Sequence, residues 1–557
     1  MNKYMKYLII LLTVSVIVLL NGCSKTSTDG TGTGNKRMVT FNVQNSPATI
    51  DPQLGTSLAA AEIDSMCMEG LLILGRDNGK VIPGVAKSWT VSKDGLKWTF
   101  FLRKNAKWSN GESVTAHDFN FAFKRALTPS TATQFAFMLY GIKNAELFNE
   151  GKIKDFSDVG VKVIDDFTLE ITINNPVPYF AQVVTTSISM PLNEKFYNKV
   201  KDKYTLSADT MLYNGPYIIK DSVPNGKYVF EKNKYYWNNI NINLENITFL
   251  MVNNYNTAAD MFQNGSLSMT AIKSSQIPKF KNSGALHTIP DGSIYCLEFN
   301  IKNKIFSNTD IRRAIGLAID RDTLCKEVLK NGSIPARSFV PPGINGGVVN
   351  DKPITFRKRY GNQLFNFNLT EAQKLYAKGL KELGYKFSCT NNKPDCKINV
   401  KLLLQNDSAD LRNCQYIQQQ LFKNLGINVV LVPNTMQGQL QKIDMKNYDF
   451  TYTNWEPEYN DPSAFLNIYT TKDGQNDTNW SNADYDKLIE IAETSPSNKI
   501  RMPALHKAEE ILMNKMIISP LFFGVNSTLI KQWLKDVQLM GCTTALSFNW
   551  AYVEDKK

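Results

Sequence analysis

Residues 398–432 read INVKLLLQNDSADLRNCQYIQQQLFKNLGINVVLV. The largely apolar segments Ile398–Leu404 and Ile427–Val432 predict two strands. Asp410–Leu425, which lies between them, has the apolar spacing of a helix. Strand, helix and strand at this spacing form a βαβ unit, so we expect a parallel sheet covered by helices in this region.

The rest of the chain shows both helix and strand patterns, which predicts a mixed α/β body. Thr115 has the character of an N-cap and predicts a helix over Ala116–Leu127. Val161–Ile164 and Thr168–Ile173 flank two aspartates, which indicates a hairpin. The apolar spacing of Asp310–Leu329 predicts one long helix.

The composition is that of an ordinary globular protein. Of the 557 residues, 43% are apolar and 20% are charged. This length is too great for one core and predicts two or three domains. The formal net charge is +12, but the basic residues are scattered, which argues against a nucleic-acid-binding protein.

Nothing in the sequence points to catalysis or to a metal site. His117, His287 and His506 are far apart and have no clustered Cys or His neighbours. The chain has no GxSxG, HExxH or Walker motif. We therefore expect a protein that is not an enzyme and that binds no metal and no cofactor.

Two cysteines, Cys389 and Cys396, lie close together around a polar loop. Outside the cytosol this spacing predicts a local disulfide hairpin, with two free surface thiols as the alternative. The other cysteines of the body lie in more apolar settings and are expected to be small core residues; they are Cys67, Cys296, Cys325, Cys414 and Cys542.

The amino terminus has the pattern of a secretory signal. Two lysines precede an apolar run, residues 7–20, that is short for a membrane span. Cys23 follows in a context that resembles a lipobox, so we expect residues 1–22 to be a lipoprotein signal peptide and Cys23 to be lipidated. An ordinary signal that happens to meet a cysteine is the alternative. Residues 23–37 have the Gly, Ser and Thr content of a flexible linker.

Short segments of distinctive sequence are spread along the chain from about residue 41 to 552. They are Pro83–Trp89, Trp98–Arg103, Ala106–Gly111, Thr115–Phe119, Tyr213–Tyr217, Tyr235–Trp237, Ile311–Ala314, Ala318–Arg321 and Trp455–Pro462. Together, in this order and spacing, they resemble the oligopeptide-binding lipoproteins of bacterial ABC importers, which belong to solute-binding protein family 5, the peptide/nickel class.

The resemblance implies an α/β fold with two lobes. It is the periplasmic-binding-protein-like fold of type II, cluster C, with an extra domain inserted in the first lobe. The chain would cross the hinge between the lobes twice. Carried over, the boundaries are 38–69, 189–293 and 523–557 for lobe I, 70–188 for the extra domain and 294–522 for lobe II.

A free peptide carries an ammonium group, and enclosing that charge without an opposite charge is very unfavourable. The resemblance implies that Glu458 holds this amine, where the family more often has an aspartate; a solvated loop carboxylate is the alternative. It also implies that the ligand lies extended and pairs with protein backbone, as in β-augmentation. The pairing residues would be Trp455 and Glu456 on one side and Thr56, Ser57 and Leu58 on the other, although Trp455 has the alternative of a plain core residue.

Several positions depart from the family's usual pattern. Phe135 stands where a tyrosine supports the amine site, and it lacks the hydroxyl. Tyr452 stands in place of an arginine that can take the carboxylate of short peptides, and Thr56 in place of its acidic partner. Arg412 aligns with a histidine that meets the end of longer ligands, so we expect it to anchor the peptide carboxylate; a solvent-facing helix arginine is the alternative. The loss of a nearby carboxylate anchor at position 452 and the gain of a more distant one at Arg412 together predict a preference for longer peptides.

The sequence thus predicts a monomeric, lipid-anchored receptor on the outer face of the cell membrane. It would bind oligopeptides between two closing lobes and deliver them to the membrane subunits of an ABC importer. One alternative is a receptor of the same fold for a non-peptide solute, such as a nickel complex, haem or a sugar. Another is a surface receptor that senses peptides without importing them.

Overall fold

The computed structural model describes residues 38–76, 80–350, 352–361, 364–390, 393–396, 398–539, 541 and 546–554. The predicted signal peptide, the whole predicted linker 23–37 with Cys23, and Cys542 lie outside the described residues. Helices and strands alternate along the part that is described, which confirms the mixed α/β composition.

The largest sheet within the described residues has eleven strands. Ten of them form a continuous row, and Ile334–Pro335 pairs alongside Ile518–Ile530. In spatial order the row is Ile427–Asn434, Ile398–Gln405, Phe450–Trp455, Leu286–Phe299, Ile518–Ile530, Met269–Ala271, Val39–Val43, Asn246–Met251, Lys227–Lys232 and Tyr217–Val223.

The predicted βαβ unit is confirmed at one edge of this sheet. Ile398–Gln405 and Ile427–Asn434 pair in parallel, and the helix Ser408–Leu425 connects them. Asp407 caps this helix through its side chain, and Gly426 ends it with a φ of 79°. The left-handed conformation at the end explains why a glycine stands there.

Two long antiparallel strands, Leu286–Phe299 and Ile518–Ile530, form the middle of the sheet. The sheet continues outward from each of them, so they join the two halves. Their ladder is interrupted between Pro290 and Ile294, where the register shifts, and the register shifts again between Tyr295 and Cys296. The two halves of the sheet are therefore connected by paired strands rather than by loops.

A second, antiparallel sheet contains the predicted hairpin. Its strands lie in the order Ala86–Val91, Lys97–Leu102, Thr168–Thr172 and Val161–Asp165. The helix Ala116–Leu127 begins where it was predicted. Its first turn is fixed by Asp118, whose carboxylate accepts from the Thr115 amide at 2.7 Å and from the Trp108 indole N–H at 3.3 Å.

The remaining elements cover these sheets. The other helices of nine or more residues are Leu58–Cys67, Tyr255–Asn264, Thr309–Ala318, Leu369–Glu382, Met436–Asp444, Ala483–Glu493 and Asn498–Lys515. Shorter helices are Ala145–Asn149, Phe180–Val183, Glu194–Val200, Ile277–Phe280, Phe356–Tyr360 and Ser463–Leu466. Two-stranded pairs are Leu72–Leu74 with Val81–Pro83, Asn345–Val349 with Lys352–Thr355, Cys389–Thr390 with Lys393–Pro394, Leu534–Lys535 with Tyr552–Val553, and Gln538–Leu539 with Leu546–Ser547.

The prediction of one helix over Asp310–Leu329 is wrong. The helix ends at Ala318, and a short turn and a π-helix follow, which begin at Arg321. Asp320 starts the new turn by accepting from the Thr323 amide. The Arg321 guanidinium donates to carbonyl oxygens of the first helix end, at 2.7 and 2.9 Å. These polar contacts satisfy backbone groups that the break in the helix leaves unpaired. The apolar periodicity of the sequence gives no sign of such contacts.

The four described cysteines that were predicted to be core residues are confirmed as such. The thiols of Cys67, Cys296, Cys325 and Cys414 are buried and free. Cys389 and Cys396 frame a small hairpin of paired strands, and their thiols are not bonded to each other in this structure. The disulfide between them therefore stays a prediction.

Two kinds of feature are absent from the described residues. They contain no helix that is long and apolar enough to cross a membrane. They also contain no group of three His, Cys, Asp or Glu side chains placed to hold a metal ion.

Gly215 lies where two segments of backbone touch. Its amide donates to the Cys67 carbonyl at 2.8 Å, and a Cβ at this position would lie 2.5–2.6 Å from backbone atoms of Cys67 and Met68. We expect Gly215→Ala to lower the free energy of unfolding by about 2–3 kcal/mol, because backbone cannot move aside as a side chain does. Gly141→Ala is the matched control, since nothing lies within 4 Å of its added Cβ. Urea denaturation of both variants measures the difference, and equal stabilities would contradict the expectation.

Candidate binding cleft

The loop after Phe450–Trp455 is held by two contacts. The Trp455 indole N–H donates to the Ala464 carbonyl at 2.8 Å. Asp461 forms an ion pair with Arg501 at 2.9 Å, and both side chains are almost fully buried. Residues 456–460 are therefore fixed at both ends, next to the central strands of the sheet.

Glu458 lies in this loop and is half-buried. Burial is the main cause that raises the pKa of its carboxyl to about 7, and the nearby Asp473 carboxylate adds to the rise. Within the part of the chain that the structure describes, the carboxyl has no side-chain hydrogen bond and no ion pair. A half-buried carboxyl without a cation is chemically suited to accept one from a ligand.

Further carboxylates surround the same region. Glu456 is exposed beside Trp455, and the pKa of its carboxyl is raised by partial desolvation and then by Asp291. Tyr295 is half-buried. Burial is the main cause that raises the pKa of its hydroxyl, and nearby acidic groups raise it further; they are Asp291, Glu456, Asp410 and Asp407. Negative charge is thus concentrated here in a chain whose formal net charge is +12. This concentration of carboxylates favours binding of the positively charged end of a ligand.

The segment predicted to form the opposite wall is exposed. Thr56, Ser57 and Leu58 all lie at the surface. The Ser57 side chain caps the helix Leu58–Cys67 by accepting from the Ala60 amide at 3.2 Å. The backbone of this segment is therefore fixed in direction while its outer side remains open to a ligand.

Three other predicted residues lie outside the loop that contains Glu458. Phe135 is 36% exposed and packs edge-to-face against Phe137. Arg412 is exposed on the helix Ser408–Leu425. Tyr452 is 3% exposed, and its hydroxyl accepts from the Asn413 side chain at 3.2 Å. In this structure Tyr452 therefore packs in the core, and a role for it in peptide binding stays a prediction.

Sequence reasoning did not find Asp291, Tyr295 or Asp473. Asp291 accepts from the Ser293 amide and hydroxyl in a tight turn, and an Asp-Gly-Ser sequence signals only a turn. Tyr295 stacks on Phe522, with ring centroids 4.5 Å apart, which a strand pattern does not distinguish from ordinary core packing. These residues come together only in the folded chain.

The loop also contacts a distant segment. Tyr459, which follows Glu458, stacks on Tyr179 with ring centroids 4.5 Å apart and an interplanar angle of 14°. The Arg501 guanidinium lies 5.5 Å from the centre of the Tyr179 ring. A cavity of about 280 Å³ is lined by residues of both segments. The loop that contains Glu458 thus touches residues from both halves of the sequence.

The sequence matches one family model and many curated proteins. The model describes bacterial extracellular solute-binding proteins, family 5, and matches residues 80–477. The oligopeptide-binding protein OppA of Bacillus subtilis is 31% identical over 547 residues, which is 96% of this chain and 96% of that protein.

Solved structures overlap almost the whole chain. An unliganded, open form of the murein tripeptide-binding protein MppA is 28% identical, with a TM-score of 0.79 over 94% of this chain and 99% of the other. OppA of Listeria monocytogenes bound to peptide is 30% identical, with a TM-score of 0.73 over 94% of this chain and all of the other. These overlaps confirm the predicted two-lobed α/β fold class.

The matches also include proteins whose names give other roles. A probable deoxycholate-binding periplasmic protein of Escherichia coli is 28% identical over 89% of this chain and 89% of that protein. The pheromone receptor PrgZ is 26% identical, with a TM-score of 0.73 over 94% of this chain and all of the other.

Proposed function

Because this chain belongs to the bacterial extracellular solute-binding proteins of family 5, we propose that it binds oligopeptides in an extended conformation and delivers them to an ABC importer. The peptide would lie between two lobes that close on it, since only the closed form places both walls against the ligand. The family is one of solute-binding proteins, and we propose no catalytic step.

The observation that carries the proposal is the carboxyl of Glu458. It is half-buried and lacks a cation partner within the described residues, and its pKa is raised to about 7. A peptide ammonium supplies the missing charge. Lobe closure would exclude water and strengthen the pair, because electrostatic attraction increases as the local dielectric constant falls.

The rest of the peptide would be held mainly through its backbone. Trp455 and Glu456 would pair with one side, and the exposed segment Thr56, Ser57 and Leu58 with the other. Backbone hydrogen bonds are common to all peptides, so binding would tolerate many sequences. Phe135 would pack near the amine and Arg412 would meet the carboxylate of longer peptides.

We propose the predicted domain boundaries: 38–69, 189–293 and 523–557 for lobe I, 70–188 for the extra domain and 294–522 for lobe II. Three features support them. The four-stranded sheet lies wholly within 70–188. The βαβ unit lies within 294–522. The two long central strands each cross a proposed lobe boundary.

We also propose that Cys23 is lipidated after removal of residues 1–22. Residues 23–37 would then tether a monomeric receptor to the outer face of the cell membrane. Stable anchoring would need more than one acyl chain. The tether would raise the local concentration of the receptor near the importer.

Native mass spectrometry of the purified chain tests the ligand class. We expect a ladder of co-purified peptides that is released on unfolding. A single non-peptide mass would favour the second candidate, a receptor for another solute, which the deoxycholate-binding relative suggests. Peptide uptake that survives deletion of the chain would favour a third, a sensing receptor such as the pheromone-receptor match suggests.

The raised pKa of Glu458 makes peptide binding depend on pH. The free carboxyl is protonated below about pH 7, and a bound ammonium lowers its pKa, so binding must release a proton there. We expect affinity to rise by up to about tenfold per pH unit between pH 5 and 7, and to fall above about pH 8, where the peptide amine deprotonates. Isothermal titration calorimetry over this range measures the profile.

The rise in affinity between pH 5 and 7 should be absent in Glu458→Gln. Glu456 and Asp473 also have raised pKa values, so the variant separates the contribution of Glu458 from theirs. If affinity rises between pH 5 and 7 in the variant as it does in the unaltered chain, another carboxyl is responsible for this pH dependence.

A further inference from the structure

A second cavity, of about 320 Å³, lies beside the start of the helix Leu58–Cys67. Ser57 and Leu58, both exposed, form part of its wall. They belong to the segment that we propose pairs with the peptide backbone. A peptide side chain that points toward this wall would enter the cavity. The apolar part of the lining includes Phe41, Val43, Met269, Ile289, Leu539 and Leu546.

Among the described residues, one charged side chain lines this cavity. Glu62 is 7% exposed, and its carboxyl has no hydrogen bond and no ion pair within the described residues. Residues 540 and 542–545, which lie outside that part, carry no formal charge. The lining also includes Gln44, whose side-chain nitrogen is buried without a hydrogen-bond partner.

Unpartnered buried polar groups are costly and rare in folded proteins. Two of them in one cavity indicate that a ligand group completes their hydrogen bonds. The cavity has apolar walls and one acid, which matches a side chain with an apolar stem and a cationic head. An apolar side chain would leave the acid unsatisfied, and an acidic one would add a like charge. Rotation of the Gln44 amide would present its oxygen to the same cation.

Burial raises the pKa of the Glu62 carboxyl to about 8. In the empty cavity the acid is therefore mostly protonated at neutral pH. A cation in contact with it lowers this pKa again. Ionising the acid costs only about a factor of ten in affinity at pH 7, because the pKa lies about one unit above that pH.

We propose that Glu62 makes this cavity a pocket for a basic peptide side chain, so that the protein prefers lysine or arginine at one fixed position of its ligand. The inference rests on the proposed function, because it requires a peptide that runs along Thr56, Ser57 and Leu58. It adds a selectivity that backbone pairing alone does not provide.

The test compares lysine with norleucine, which has a similar stem without the charge. Penta-alanine and its single-lysine and single-norleucine variants at each position are titrated by calorimetry at pH 8 into the ligand-stripped chain. We expect lysine to bind at least about tenfold more tightly than norleucine at one position, as a buried ion pair implies. In Glu62→Gln the ratio should fall below about twofold while penta-alanine affinity stays within about twofold. Glu194→Gln, at an exposed glutamate, is the matched control and should retain the preference.

The comparison in the unaltered chain needs no variant, so it remains decisive if Glu62→Gln does not fold. Equal binding of lysine and norleucine at every position would overturn the inference and leave the proposed function intact. So would a lysine preference that persists in Glu62→Gln. Failure of every pentapeptide to bind would overturn both.

Discussion

Replacement of Glu458 by glutamine is expected to weaken the binding of peptides with a free amino terminus by at least about 100-fold, or about 3 kcal/mol. Glutamine has nearly the same shape but cannot carry the charge that balances the ammonium. Closing the lobes would then enclose an unpaired cation, which is strongly unfavourable. The fold should be unaffected, because the carboxyl has no side-chain partner within the described residues.

A thermodynamic cycle makes this expectation specific. Peptides are compared with their N-acetylated forms in the unaltered chain and in Glu458→Gln. Acetylation removes the ammonium, so in the unaltered chain it should lower peptide affinity about as much as the mutation does. In the variant it should lower peptide affinity only slightly further. Glu490→Gln, at an exposed helix position, controls for the loss of one negative charge. Equal losses on acetylation in both proteins would show that the amine is bound elsewhere.

Replacement of Arg501 by methionine is expected to lower the free energy of unfolding by about 3–5 kcal/mol. Arg501 is fully buried, and its guanidinium donates to both oxygens of Asp461, at 2.9 and 3.1 Å. It also donates to the Ala492 carbonyl at 2.9 Å. The variant leaves the Asp461 carboxylate buried without its cation, which explains the size of the loss.

Urea denaturation, followed by tryptophan fluorescence, measures this effect. The control is Arg76→Met, which breaks an ion pair with Asp536 whose side chains are 52% and 49% exposed. It should cost less than about 1 kcal/mol, because solvent screens such pairs. The double variant Asp461→Asn with Arg501→Met should recover part of the loss, since no unpaired charge remains. Similar effects of Arg76→Met and Arg501→Met would contradict the expectation.

The parts of the fold that were predicted well depend on residues close in sequence. The βαβ unit at residues 398–434 and the helix Ala116–Leu127 follow from local apolar spacing and a local cap. The helix over Asp310–Leu329 was predicted wrongly because Arg321 and Asp320 satisfy the ends of a break. Polar contacts of this kind do not alter apolar periodicity, so the pattern continues across the break.

The candidate sites depend on residues far apart in sequence. Glu62 shares its cavity with Tyr255 and Asn526, and no spacing rule connects these positions. The burial of Tyr452 likewise follows from its packing with Tyr295, and not from the motif around it. The segment with Glu458 was found by family resemblance, whereas its raised pKa required the three-dimensional arrangement.

The central strands Leu286–Phe299 and Ile518–Ile530 have a consequence for how the molecule can move. Covalent linkers alone would allow the two halves to swivel in many directions, but a hydrogen-bonded ribbon resists shear and twist. Bending is easiest where the ladder is interrupted, between Pro290 and Ile294. The two halves should therefore move about one axis, and most of the bending should occur in a few peptide units at this interruption.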